Sequence, residues 1–471
     1  MDPESSRLGE VFAAQRAAFR ALPYPSLAQR KSNLRDLAAI VSQNRDAIAA
    51  AIDEDFGGRA KDETMTLEVM QVLQLISHIL TRLRRWMRPS RKSAGLLYMP
   101  ARARLHYQPL GVVGIVSPWN YPLDLALSPL ACALAAGNRV MLKPSEHTPR
   151  TSELFRQLLG ERFGEEHVAV ITGDAEVGVE FSRLPFDHLM FTGSTAVGRS
   201  VMASAAENLT PVTLELGGKS PCIVGREAGL SQAVQRICFG KSINSAQTCI
   251  APDHVFLPRG REEEFVEEYR RCYTKLYPDG ELSSDYSCVI NDAQFDRLQD
   301  LLEDARSKGA RVEVANEAGE WTAGASRRMP PHIILDVSDE MTMMQQEIFG
   351  PLLPVVLYDS MDEVIEEVAR GERPLALYYF GGDRRNHRRI LRETHSGGVV
   401  FNDTSIQFAI KSLPFGGVGA SGMGSYHGHE GFLTFSHARA VVSKGWLNPL
   451  RLGYPPYGSR VHKLIERIFI R

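Results

Sequence analysis

Between residues 110 and 192 the chain alternates short apolar runs with helical segments, and few folds accept that rhythm. Leu110–Val116 reads LGVVGIV, a run suited to a strand buried on both faces. Pro129–Ala136 reads as a helix closed by Gly137. Arg139–Leu142 is a second strand, and Thr148-Pro149 starts another helix with Thr as cap. Val168–Thr172 and His188–Thr192 are further strands. Strands alternating with helices predict a doubly wound α/β unit with a parallel sheet.

A second alternation follows Glu215. Strands are expected at Cys222–Val224, His254–Leu257, Arg311–Val314, His332–Leu335, Leu353–Tyr358, Leu377–Phe380 and Val399–Asn402. Helices are expected at Ser231–Ser245, Arg261–Tyr277, Asp292–Lys308 and Met361–Arg370. The first hundred residues read as helices, including a long one from Asp62 to Met87. A length of 471 residues fits such a multi-domain plan. The apolar run Val69–Leu80 is broken by Gln71, Gln74 and His78, so an amphipathic helix is expected rather than a membrane span.

Charge limits the partners. Lys plus Arg number 54 and Asp plus Glu 56, which argues against nucleic acid as a main partner. The six cysteines form no CxxC pair and no zinc spacing, so no metal is expected. The start, MDPESSRLGE, has no secretory character, and free thiols in a reducing cytoplasm are the expectation.

Three segments compete for a dinucleotide. Gly417-x-Gly419-x-x-Gly422 matches the usual fingerprint, but neither a strand before it nor a helix after it is evident; a structural loop is expected. Phe191-Thr-Gly193-Ser194-Thr-Ala-Val-Gly198 follows a strand and opens a helix, whose free N–H groups suit a pyrophosphate. It is equally an ordinary strand-to-helix turn. Lys143-Pro-Ser-Glu146 follows a strand end, where parallel sheets bind ligands; alone it reads as a solvated loop.

Among the thiols, Cys132, Cys222 and Cys238 lie in apolar or helical contexts, as buried cysteines do. Cys249 differs: its neighbours Asn244-Ser-Ala-Gln-Thr are small and polar, as a nucleophile's setting would be. Glu215, wedged between Leu214 and Leu216, should have a raised pKa suited to a general base, or be a salt-bridged carboxylate. Asn120, in Pro118-Trp119-Asn-Tyr121-Pro122 directly after a strand, is placed to donate to a developing oxyanion, or the prolines simply build a turn. Glu347 lies in Glu-Ile-Phe349-Gly-Pro, where the turn itself is a sufficient reason for the segment.

Taken in order, PWNYP, KPSE, FTGSTAVG, LELGGK, QTC, EIFGP and PFGGVGASG resemble the aldehyde dehydrogenase superfamily from about Leu105 to Val442. The 34-residue step from Glu215 to Cys249 is similar to the family's spacing. The short N-terminal region and the PPYG at 455–458 are most similar to the class 3 branch of fatty, aromatic and coniferyl aldehyde dehydrogenases. The resemblance implies two Rossmann-like domains and a small β oligomerisation element. The NAD(P)-binding domain would span 1–98 and 109–214, and the catalytic domain 215–429. The bridging element would be a hairpin near 99–108 with a strand inside 430–450, followed by a tail at 451–471.

It also implies roles. Cys249 matches the nucleophile, Glu215 the general base and Asn120 half of the oxyanion hole. Lys143 and Glu146 match ribose contacts; Gly193, Ser194 and Gly198 match the phosphate turn; Glu347 and Phe349 match contacts to the nicotinamide riboside. The cofactor expected is NAD, with NADP possible, and the partner is a small-molecule aldehyde. Trp119, Tyr121 and Met70 are candidates for an apolar substrate pocket. A homodimer is expected, and the basic, amphipathic tail Arg460–Arg471 is read as docking on the partner subunit rather than on a membrane. A CoA-acylating enzyme and a silent scaffold are the rivals; Glu215 and Cys249 argue against them. One departure is Ala246, where many relatives have Gly: Gly tolerates positive φ and Ala does not.

Overall fold

The structure is a computed structural model that describes residues 3–95, 98–316, 321, 326–448, 451 and 453–470. Three sheets organise it. The first has six strands in the order Gly422–Met423, Val212–Leu216, His188–Gly193, Val112–Val116, Arg139–Lys143 and Val168–Val170. All its pairs are parallel except the two-residue edge strand at 422–423. Successive residues of these strands alternate between two buried faces. Val113, Ile115, Val140 and Leu142 join one apolar cluster, while Val112, Met141, Leu189 and Phe191 join another. A strand buried on both sides must be apolar throughout, which is why it reads as an unbroken run in sequence.

The second sheet has seven strands in the order Arg311–Val314, His332–Leu335, Leu352–Tyr358, His254–Pro258, Pro221–Val224, Ala376–Phe380 and Gly398–Phe401. Only the first of these pairs is antiparallel. The chain is thus an α/β protein with two doubly wound sheets, as expected.

The third sheet is small: Ser90–Lys92, Arg102–Pro109 and Ser436–Ser443, all antiparallel. The hairpin anticipated near 99–108 lies wider, with Ser90–Lys92 antiparallel to Arg102–Pro109, and the remote strand Ser436–Ser443 pairs along the other edge of Arg102–Pro109. A strand anticipated within 430–450 is present at 436–443; residues 449 and 450 lie outside the described residues.

Three other boundaries differ from expectation. The helix at Pro129 begins earlier, at Asp124, so Pro129 sits inside it and all thirteen residues are buried. Tertiary packing there overrides the proline signal. The strand Val212–Leu216 runs through the 214/215 position where a domain boundary was placed, and 422–423 return to the same sheet. Finally, Lys61–Trp86 is helical but holds a π-helical turn at Met65–Val69. The tail forms a helix, Arg460–Phe469, capped by Ser459, with Leu464 and Ile468 exposed. Among the described residues no helix is long and apolar enough to cross a membrane.

Candidate active site

In the first sheet the chain winds one way from Val112–Val116 through Arg139–Lys143, then returns to the other side at His188–Gly193. Ligands collect at the carboxyl ends of strands where winding reverses, because loops there diverge and leave a crevice. A cavity of about 880 Å³ lies at this point, lined by Trp119, Asn120, Gly193, Ser194, Glu215, Cys249, Glu347 and Phe349 among others.

The loop bearing Cys249 is unusual. The helix expected to reach Ser245 ends at Ser242, because Asn244, Ser245 and Ala246 have φ of 49°, 50° and 57°. Left-handed backbone costs a non-glycine residue about 1–2 kcal/mol, so a run of three needs support. The Asn244 amide donates to Glu63 Oε1 at 2.7 Å, and Ser245 Oγ donates to the Ser287 carbonyl at 2.5 Å. Gln247 Nε2 donates to the carbonyls of Asn244 at 2.9 Å and Cys288 at 3.0 Å, while its Oε1 accepts from the Ile290 amide at 2.9 Å. The concern over Ala246 is thus met directly: its methyl occupies a left-handed turn held from outside. Cys249 is partly exposed on the cavity wall, whereas Cys132, Cys222, Cys238 and Cys288 are buried.

Glu215 is 1% exposed, and neither carboxylate oxygen has a partner of hydrogen-bonding geometry. Burial pushes its carboxyl up to about 8, partly offset by the Cys249 thiol and the Thr192 hydroxyl nearby. Burial, then the charges of Glu215 and Glu347, raise the Cys249 thiol. Glu347 is raised to about 8 by burial and by Asp253 and Glu215, and the Gly218 amide donates to it. Two carboxyls and a thiol therefore share one desolvated pocket.

Gly422, the last glycine of the fingerprint look-alike, explains that segment. It pairs with Glu215 at φ 138°, and a Cβ there would collide with the Leu214 carbonyl. The segment backs the Glu215 strand and opens no helix of its own.

Asn120 Nδ2 donates one N–H to the Gln247 carbonyl at 3.0 Å, which orients the amide and leaves its second N–H. Trp119 meets Phe349 edge to face at 5.3 Å across the cavity; Phe349 is itself left-handed at φ 48°. Tyr121 and Met70 lie elsewhere. The Tyr121 hydroxyl hydrogen-bonds Thr248 Oγ1 at 2.8 Å, and the side chain is buried rather than on the cavity wall. Met70 is exposed and lines a separate shallow groove.

At the nucleotide turn, Ser194 caps the helix Thr195–Ala206 by accepting from the Val197 amide, and Gly193 precedes it. Gly198 faces inward: a Cβ there would come within 2.7 Å of Leu216 Cδ2, so glycine permits close helix–strand packing. Lys143 and Glu146 stand at the end of the neighbouring strand, outside the cavity lining, and pair with each other at 3.2 Å; Lys143 also donates to the Gly173 carbonyl at 2.9 Å.

Two supports lie outside the expected residues: a clasp at Lys219, and the buried Arg59, which donates to the Asn120 carbonyl. Lys219 pairs with Asp253 at 2.5 Å and donates to the carbonyls of Met343 and Gln346, while Asp253 Oδ1 accepts from the Ile348 amide. This clasp holds the loop that carries Glu347. Lys219 stands in the LGGK segment and offered a signal; Asp253 and the buried Arg59 offered none.

Comparison with known proteins identifies the family. Residues 4–441 match the model of the aldehyde dehydrogenase family. The chain is 50% identical over 468 residues to a probable coniferyl aldehyde dehydrogenase of Pseudomonas aeruginosa, covering 99% of this chain and 97% of that protein. It is 38% identical over 461 residues to a rat protein named "aldehyde dehydrogenase, dimeric NADP-preferring", covering 97% and 99%. Among solved structures, a substrate-bound Staphylococcus aureus AldH superposes with a TM-score of 0.92 at 34% identity, covering 98% of this chain and 99% of that one. The chain therefore belongs to the aldehyde dehydrogenase family, on the branch of the coniferyl and family 3 enzymes, and is an oxidoreductase that acts on aldehydes.

Proposed function

We propose that the enzyme oxidises a hydrophobic aldehyde to its carboxylic acid through a thioester on Cys249 that water hydrolyses. The observation that supports this most is the meeting of Cys249, Glu215 and Asn120 on one cavity. The Cys249 thiolate attacks the carbonyl carbon. The oxyanion faces the free N–H of Asn120 and the backbone N–H of Cys249. A nicotinamide dinucleotide held at the helix start after Gly193 and Ser194 would supply the two-electron oxidant that turns the Cys249 adduct into the thioester. Glu215 in its ionised form, whose share grows as pH rises towards about 8, then takes a proton from water, the water oxygen bonds to the carbonyl carbon, and the carbon–sulfur bond breaks to release the acid and the thiolate.

The residues suit that cofactor on two counts. The capped helix after Gly193 offers unpaired N–H groups to a pyrophosphate. A Cβ at Gly217 would collide with the Glu347 carboxylate, so glycine leaves room on the cavity wall for an acceptor that ribose hydroxyls would use. We favour NAD over NADP, since the Glu146 carboxylate would repel a 2′-phosphate, although Lys143 beside it offsets part of that charge.

For substrate we favour an aromatic or medium-chain aldehyde, on the apolar wall of Trp119 and Phe349 and on the coniferyl aldehyde dehydrogenase names of the Pseudomonas relatives. We also favour a cytoplasmic homodimer, in which the exposed strand Ser436–Ser443 and the apolar face of the tail helix are covered by a second copy. Turnover of coniferyl, benzyl and aliphatic aldehydes, followed as NADH or NADPH absorbance without CoA, tests the reading. Acid formed without CoA supports it; a strict CoA requirement sinks it.

A further inference from the structure

One buried cation near the site takes no part in the chemistry above. Arg59 lies between the helices Arg45–Phe56 and Lys61–Thr64, 2% exposed, with its guanidinium between the rings of Phe56 and Tyr121 at 4.9 and 5.0 Å. A charge is removed from water only at large cost unless it is matched. Here two carboxylates match it: Glu68 at 3.2 Å and Glu63 at 4.0 Å. Glu68 lies within the π-helical turn Met65–Val69, and Glu63 just before it. A π turn spaces its hydrogen bonds five residues apart, so it brings positions five apart towards one face.

Each member of the cluster holds a piece of the active site. Arg59 Nη1 donates to the Asn120 carbonyl at 3.0 Å. Glu68 Oε2 accepts from the amides of Leu123 and Asp124, at the start of the helix that follows Asn120. Glu63 Oε1 accepts from the Asn244 amide in the left-handed turn before Cys249, and Asn244 Nδ2 donates back to the Asn120 carbonyl at 2.8 Å. The two proposed oxyanion donors sit on separate loops, and the cluster ties those loops together.

We infer that Arg59, with Glu63 beside it, is a positioning device that sets the Asn120 amide against the Cys249 loop so that both donors meet one oxyanion. The inference rests on the reading of Asn120 as an oxyanion donor. Misplacement of a reacting geometry by an ångström costs about 100-fold in rate, so losses of that order are expected from residues that never touch substrate.

A double-mutant cycle on the full-length enzyme tests this. Arg59→Met, Asn120→Ala and the double variant are compared for aldehyde oxidation and for hydrolysis of p-nitrophenyl acetate. Hydrolysis of that ester needs the oxyanion site and no hydride transfer. Arg59→Met is expected to lower kcat in both reactions by about 10- to 100-fold while the Kd for NADH, read by fluorescence, stays unchanged. Placed on Asn120→Ala, the same change is expected to cost no more than about 3-fold further, because residues acting as one unit are not additive.

A full further loss on Asn120→Ala would overturn the inference while leaving Asn120 as donor. Unchanged turnover in Asn120→Ala alone would overturn the oxyanion reading, and this inference with it. If Arg59→Met does not fold, Glu63 decides: Glu63→Ala should lower kcat for both reactions about 10-fold or more, with the Kd for NADH unchanged. Wild-type turnover in Glu63→Ala would count against the device.

Discussion

Glu215 gives the most quantitative forecast, because its environment links catalysis to stability. The carboxyl is fully buried without a hydrogen-bond partner, and burial holds its pKa at about 8 against an ordinary 4.5. The folded enzyme thus keeps a proton that the unfolded chain releases near pH 4.5. Ionisation across that window favours unfolding. The stability tied to this group is fully present below pH 4.5 and is lost as pH rises through about 8. Glu215→Gln keeps the shape and has no proton to lose. By linkage, wild type should lose roughly 2–3 kcal/mol relative to the variant between pH 6 and pH 9. Urea midpoints of both proteins at the two pH values, read by tryptophan fluorescence without cofactor, measure that difference. The variant's advantage must widen with pH. A gap that is equal at pH 6 and pH 9 would refute the claim that this carboxyl is desolvated.

Other expectations follow from single contacts. Lys219→Ala removes the clasp on the loop bearing Glu347; it should weaken NADH binding, measured by fluorescence titration, by about tenfold, in line with a charge-assisted bond of roughly 1.5–3 kcal/mol. Ala246→Gly relieves a left-handed alanine and should raise stability by up to about 1 kcal/mol in urea unfolding, with turnover kept. Asn120→Ala should lower kcat by about 100- to 1000-fold, with KM changed far less, in steady-state kinetics.

What the sequence made legible was local. The strands of both sheets are buried on two faces, so Val112–Val116 or His254–Pro258 appear as apolar runs that need no alternation. The loop of Cys249 stood out because small polar residues precede a thiol. Glu215 stood out because leucines flank an acid. The rest depends on distance along the chain. The left-handed turn at Asn244–Ala246 is fixed by groups at Ser287, Cys288 and Ile290, some forty residues on. Nothing in Asn-Ser-Ala itself requires positive φ, so helical spacing predicts a helix that runs on to Ser245.

Likewise Arg59 is a lone arginine in a Gly-Gly-Arg loop until folding sets it under Asn120. Nothing in the sequence separates Tyr121 and Met70, as apolar side chains, from those that line the pocket. The Tyr121 side chain is buried away from the cavity wall, and Met70 lies on the outer surface. Pattern reveals which residues are buried or reactive; it does not reveal which partners folding brings to them.

The thioester on Cys249 with water as acceptor is the central claim, and trapping it is the most direct test. Glu215→Gln is mixed with aldehyde and NAD, and the products are read by stopped-flow absorbance and by intact mass. The account predicts one equivalent of NADH in a burst, then a stall, with the protein heavier by one acyl group on the peptide that contains Cys249. Full steady-state turnover at neutral pH, with no acyl adduct on Cys249, would contradict it.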